Sequence, residues 1–73
     1  MIRLTDPEHI GAALADMRTM TMLSRREAAE AAGMHEAQYG QYELGHNTPS
    51  LATLLRLLAV FGYDVALIPR EGA

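Results

Sequence analysis

The sequence predicts a mainly α fold: a compact bundle of four short helices followed by one short C-terminal strand. Three observations carry this. Apolar and small residues recur at helical spacing in successive short stretches, and several of these open on a residue suited to capping. The later stretches close on a glycine, at Gly33, Gly45 and Gly62. Only after Gly62, in "YDVALIP", does the composition turn to β-favouring residues.

The first helix begins at "TDPE". Either Asp6 caps it with Pro7 at the first helical position, or Thr5 and Glu8 form a reciprocal capping box. Ile10, Leu14, Met17 and Thr21 then fall on one face. "LSRRE" opens the second helix, with Ser24 and Glu27 at capping-box spacing and Leu23 as the apolar staple before them. Its body is nearly all alanine (Ala28, Ala29, Ala31, Ala32), which permits close approach by neighbours. Gly33 ends it and Met34 follows as a buried plug. His35 stands at the cap position of the third helix, whose Tyr39 and Tyr42 share a face. In the loop "LGHNTPS", Pro49 keeps Thr48 out of the helical region and Ser50 caps the fourth helix. Leu51, Leu54, Leu55, Leu58 and Phe61 are its core candidates. Residues 63–69 follow as the strand, which needs a partner from outside the chain because no second strand is present.

At 73 residues, 1–73 reads as a single domain with one modest core, small enough that oligomerisation would help it. The absence of cysteine excludes disulfides and thiolate metal sites. His9, His35 and His46 lack the pairing of a helical zinc site, and no glycine-rich phosphate loop occurs. Neither a metal nor a cofactor is expected. Ser24 and Ser50 are explained as caps rather than nucleophiles, and pairs such as Asp6/Glu8 and Glu27/Glu30 as solvated helix surface, so an enzyme is not expected. No apolar run reaches the roughly 18 residues that span a bilayer, and "MIRLTDPEH" has no signal-peptide core. The expected location is cytoplasmic, with no membrane contact. The net charge of -3 argues against non-specific polyanion binding.

From Ile10 to Gly62 the sequence resembles the helix-turn-helix family of lambda-type repressors, Cro proteins and their small bacterial relatives. The first-helix pattern appears as Ile10, Gly11, Leu14, Met17 and Arg18. The entry to helix two appears as Leu23, Ser24, Arg25, Arg26 and Glu27. Ala29 is the small residue where the motif helices touch, Gly33 the turn glycine and Met34 the apolar residue after it. Tyr39, Tyr42, Glu43 and Gly45 follow, and "NTPSLATLLRLLAVFG" resembles the fourth helix. Each match alone is weak; their order and fixed spacing make them specific.

The resemblance implies a motif over 24–43 and double-stranded DNA as partner. Glu36, Ala37 and Gln41 would face the groove, with Gln38 at its border. Their chemistry fits: glutamine can bond adenine, a carboxylate can accept from cytosine, and a methyl can touch thymine. Phosphates would be held by Ser24, Arg25 and Arg26 at the start of helix two, by His35, and by His46, Asn47 and Thr48 after helix three. Arg18 and Glu43 would form a structural ion pair; the alternative for Arg18 is a phosphate contact. Three departures stand out. Arg25 replaces the usual glutamine and should strengthen the anchor. Ala28 leaves volume for the tyrosines to fill. Gly40 either brings the helix closer to the duplex or is a tolerated weak spot.

The implied job is transcriptional regulation, as a repressor acting as a homodimer on a pseudo-palindromic operator. An antitoxin that represses its own operon and binds a cognate toxin is the nearest alternative, and a protein-binding adaptor that kept the fold is another. The dimer interface is expected at Tyr63, Val65, Leu67 and Ile68, pairing two strands across a two-fold axis. An irregular tail on its own domain, or dimerisation through helix four, are the alternatives.

Overall fold

The computed structural model describes residues 2–71. A 3-10 turn, Pro7–His9, leads into α1 (Ile10–Met20), followed by α2 (Arg25–Ala31), α3 (Glu36–Glu43) and α4 (Leu51–Val60). Asp6 resolves the two possible starts: its carboxylate accepts from the Glu8 N–H at 3.0 Å, with Pro7 in the first position. Ser24 and Glu27 form both bonds of a capping box, and Ser50 accepts from the Thr53 N–H. His35 occupies the cap of α3 without a side-chain bond.

All four helices close by one device. After α2, the Gly33 N–H bonds the Glu30 carbonyl and the Met34 N–H bonds that of Ala29. The same pair of bonds recurs after α3 (Gly45 to Tyr42, His46 to Gln41) and after α4 (Gly62 to Ala59, Tyr63 to Leu58). In each the pivot is a glycine at positive φ, 73°, 79° and 86°. After α1 the bonds run from Met22 to Thr19 and from Leu23 to Arg18, and the pivot is Met22 at φ 60°. There a side-chain-bearing residue takes the left-handed conformation that glycine takes elsewhere.

Leu14 and Met17 of α1, Ala28 and Ala29 of α2, and Tyr39 and Tyr42 of α3 are buried with Leu57, Leu58 and Phe61. The Tyr39 and Phe61 rings meet edge to face at 6.4 Å, in the same core cluster as the two alanines. Gly11 sets the distance of α1 from α3. A Cβ there would lie 2.5 Å from the Tyr42 carbonyl oxygen and 2.8 Å from that of Glu43.

Several expectations need correction. In α4 the core stripe is Leu54, Leu57, Leu58 and Phe61, while Leu51 and Leu55 are exposed. A helix of ten residues buries one face, and in this fold that face includes Leu57. Thr21 is exposed and bonds the carbonyls of Met17 and Arg18 instead of packing. Met34 is only partly buried.

The C-terminal strand over 63–69 is absent. Among the described residues no strand occurs, and after the Tyr63 N–H no backbone hydrogen bond ties residues 64–70 to the domain. A strand exists through its ladder, and a single copy offers no second edge. Instead, this segment and residues 2–5 border a groove of about 660 Å³ against α1 and α4.

Candidate nucleic-acid interface

The motif is built by α2, the Gly33 turn and α3. The capping box fixes the start of α2, and Ala29, fully buried, lets α3 pack close against it. α3 then divides lengthwise. Tyr39 and Tyr42 turn inward, while Glu36, Ala37 and Gln38 are exposed and Gln41 is half-buried. The four expected base readers therefore share the solvent side of one short helix.

Glu43 closes α3 and is the electrostatic centre of the domain. Its side chain is only 2% exposed, yet it takes bonds from three elements. Arg18 of α1 grips it with a fork, Nε to Oε2 at 2.6 Å and Nη2 to Oε1 at 3.2 Å. The remaining Arg18 nitrogen, Nη1, donates to the Leu23 carbonyl at 3.0 Å, tying down the α1–α2 turn. Tyr39 donates its hydroxyl to Glu43 Oε2 from one helical turn away. Arg25 of α2 adds Nε to Oε1 at 3.1 Å. Burial alone would raise the Glu43 carboxyl; the hydrogen bonds from Arg18, Tyr39 and Arg25 outweigh it and hold the group below the usual carboxylate range. Burial and the adjacent carboxylate push the Tyr39 phenol well above its ordinary value.

The expected phosphate anchors fall into two groups, one at the start of α2 and one after α3. Ser24, Arg25 and Arg26 lie at the start of α2, all exposed; His46, Asn47 and Thr48 lie exposed in the loop beyond α3. His35 is exposed at the α3 cap. Arg25 is not a free arm. Glu43 holds its Nε, and its two terminal nitrogens have no hydrogen-bond partner among the described residues. Arg26 pairs with Glu30 at 3.2 Å on the surface, where both side chains are mostly solvated and the pair is readily exchanged. Ser24 spends its oxygen on the cap.

Four contacts escaped the sequence reading. Gln38 Nε2 donates to the Tyr42 hydroxyl at 3.2 Å, and Tyr39 reaches Glu43; both span i to i+4 and were legible in principle. The His46 ring Nδ1 lies 2.9 Å from Gln41 Oε1. The link from Arg25 to Glu43 crosses between helices and leaves no local trace in the sequence.

Compared with known proteins, residues 14–68 match the family model described as helix-turn-helix. No curated protein matches the chain in sequence. No helix among the described residues is long and apolar enough to cross a membrane. The matched span contains α2, the Gly33 turn and α3 whole, together with Arg18 and Glu43. The chain belongs to the helix-turn-helix family, Cro/C1-type and lambda-repressor-like, of DNA-binding transcription regulators.

Proposed function

We propose that the protein is a repressor that binds a pseudo-palindromic operator as a homodimer. One arrangement carries this reading: an outward row of Glu36, Ala37, Gln38 and Gln41 on α3, with exposed phosphate donors at the start of α2 and in the loop after α3. The row suits base edges in the major groove, and the donors suit the phosphate backbone beside it. The want of positive charge on α3 is no obstacle, because anchoring belongs to its flanks. Arg25 is the principal anchor. Glu43 fixes one side of its guanidinium and leaves the terminal nitrogens for a phosphate, beside the N–H groups that begin α2.

The second copy is read from the groove against α1 and α4. Seven of the eleven exposed large apolar side chains among the described residues line the groove there, Leu51, Tyr63, Val65 and Leu67 among them. Antiparallel pairing of residues 63–69 with the same segment of a second copy would give both backbones a ladder. The two-fold would also set two α3 helices about one DNA turn apart.

Fluorescence anisotropy against operator and random duplexes over a salt series tests the anchor. Arg25→Ala should weaken both duplexes equally and reduce the salt slope by about one phosphate. Lost preference with unchanged random-duplex affinity would remove Arg25 from that role. Sedimentation tests the dimer: a chain ending at Gly62 should be monomeric at micromolar concentration and bind operator poorly. A truncated chain that still dimerises would move the interface elsewhere.

A further inference from the structure

The two ends of the chain meet at one groove. Residues 2–5 and residues 64–70 both line it, together with Met17 of α1 and Leu54 and Leu58 of α4. Neither segment is helical, and among the described residues no backbone hydrogen bond joins one to the other. Their backbone donors and acceptors are left to solvent.

The two segments also share a pattern. In "IRLT" the apolar Ile2 and Leu4 alternate with Arg3 and Thr5, as Tyr63, Val65 and Leu67 alternate with their neighbours in "YDVALIP". Period-two alternation is what a strand with one covered face requires. A ladder between 63–69 and its two-fold mate occupies only one edge of each strand. The other edge stays open, and stable sheets blunt such edges with short strands that carry charge. Residues 2–5 have that length and, in Arg3, that charge. Because both segments line one groove without bonding each other, there is room for a third backbone between them.

Leu67 indicates whose backbone it is. At 97% exposure it is the most exposed large apolar side chain among the described residues, although it lies in a segment of strand composition. Its own domain gives it nothing to pack against, and the groove of a second copy does. We propose that each groove receives residues 63–69 of a second copy between its own residues 63–69 and its own residues 2–5. The two copies then share one four-stranded sheet, with the 63–69 strands at its centre and the N-terminal segments at its edges. Each edge strand pairs with the partner's strand and not with its own, so neither copy completes the sheet alone. This rests on the reading of 63–69 as the dimer segment.

Hydrogen exchange of the backbone amides, followed by NMR on the full chain at high and low protein concentration, tests it. Amides in both 63–69 and 2–5 should exchange about tenfold slower, or more, at high concentration. Leu67→Asp alters a position that is solvated in the single copy. It should leave the helices folded, abolish the dimer and remove protection from both segments together. Leu4→Asp should raise the dimer dissociation constant about tenfold, as expected for an apolar side chain lost from an interface. Protection of 63–69 with fast exchange throughout 2–5 would overturn the proposal and leave the dimer reading standing. An unchanged dissociation constant in Leu4→Asp would do the same. Protection of 2–5 that persists in monomeric Leu67→Asp would mean pairing within one copy, which also overturns it. A Leu67→Asp chain that still dimerises, or an unaltered chain that stays monomeric, would remove the dimer reading and the proposal together.

Discussion

The two sides of α3 are held by opposite means. Its inner side is fixed by burial and by convergence: Tyr39 is fully enclosed, and Glu43 collects bonds from α1, α2 and α3 itself. Its outer side carries Glu36 and Ala37, exposed and without side-chain hydrogen bonds among the described residues, and two glutamines restrained only by neighbours. Position is set on one side, and the proposed recognition falls to the other. Changes to the two sides should therefore separate, stability from one and base preference from the other.

The largest separation is expected at Arg18→Met. It removes the fork from a nearly fully buried carboxylate and frees the Leu23 carbonyl. Because Arg25 and Tyr39 remain on Glu43, the loss should fall near the lower end of the roughly 3–5 kcal/mol typical of a broken buried pair. Urea unfolding should record it, with base preference unchanged at temperatures where the variant is folded. An unaltered midpoint with weaker DNA binding would make Arg18 a phosphate contact instead. Acid probes the same centre. A carboxyl whose folded value lies below its unfolded one adds stability above about pH 4.3. That contribution is lost as pH falls through the lower folded value. Urea midpoints should decline from about pH 4.3 downward, and Glu43→Gln, already destabilised, should decline less steeply.

Gly40 sits between the two sides. A Cβ there would meet nothing within 4 Å inside the chain. Gly40→Ala should raise stability by about 1 kcal/mol, the helix cost of glycine. Operator affinity then decides between the two readings of this glycine. Weaker binding in a more stable protein means that α3 approaches the duplex closely, and unchanged binding means a tolerated weak spot. The smallest effect is expected at Met22, 89% exposed and in the left-handed conformation. Met22→Gly should stabilise by at most about 1 kcal/mol, the strain relieved being partly offset by chain entropy. DNA binding should not change. A destabilised Met22→Gly would show that the side chain contributes more than its exposure suggests.

What the sequence revealed follows the range of each interaction. Caps, glycine closures and the paired tyrosines are local, and Ser24, Gly33, Gly45, Gly62, Tyr39 and Tyr42 were legible from spacing. The Arg18–Glu43 contact was legible only through the family resemblance, since 25 residues separate the pair. Leu57 was missed in favour of Leu51 and Leu55 because α4 is apolar nearly all round, and only the packing of α1 to α3 chooses its buried face. The anchoring of Arg25 on Glu43 depends on how α2 lies against α3, which no local pattern encodes. The segment 63–69 has strand composition, but a ladder needs a partner that one chain does not supply.

The central claim is that the outer side of α3 reads DNA while the inner side only holds it. Selection from a randomised duplex pool, using the unaltered chain and the triple variant Glu36→Ala, Gln38→Ala, Gln41→Ala, tests it most directly. Glu36 and Gln38 are exposed and Gln41 is half-buried, so the variant should stay folded with a modest shift in its urea midpoint. The unaltered chain should enrich a pseudo-palindrome with half-sites about one helical turn apart. The variant should keep salt-dependent binding and enrich nothing. Enrichment of the same sequence by the folded variant, or of none by the unaltered chain, would contradict the claim.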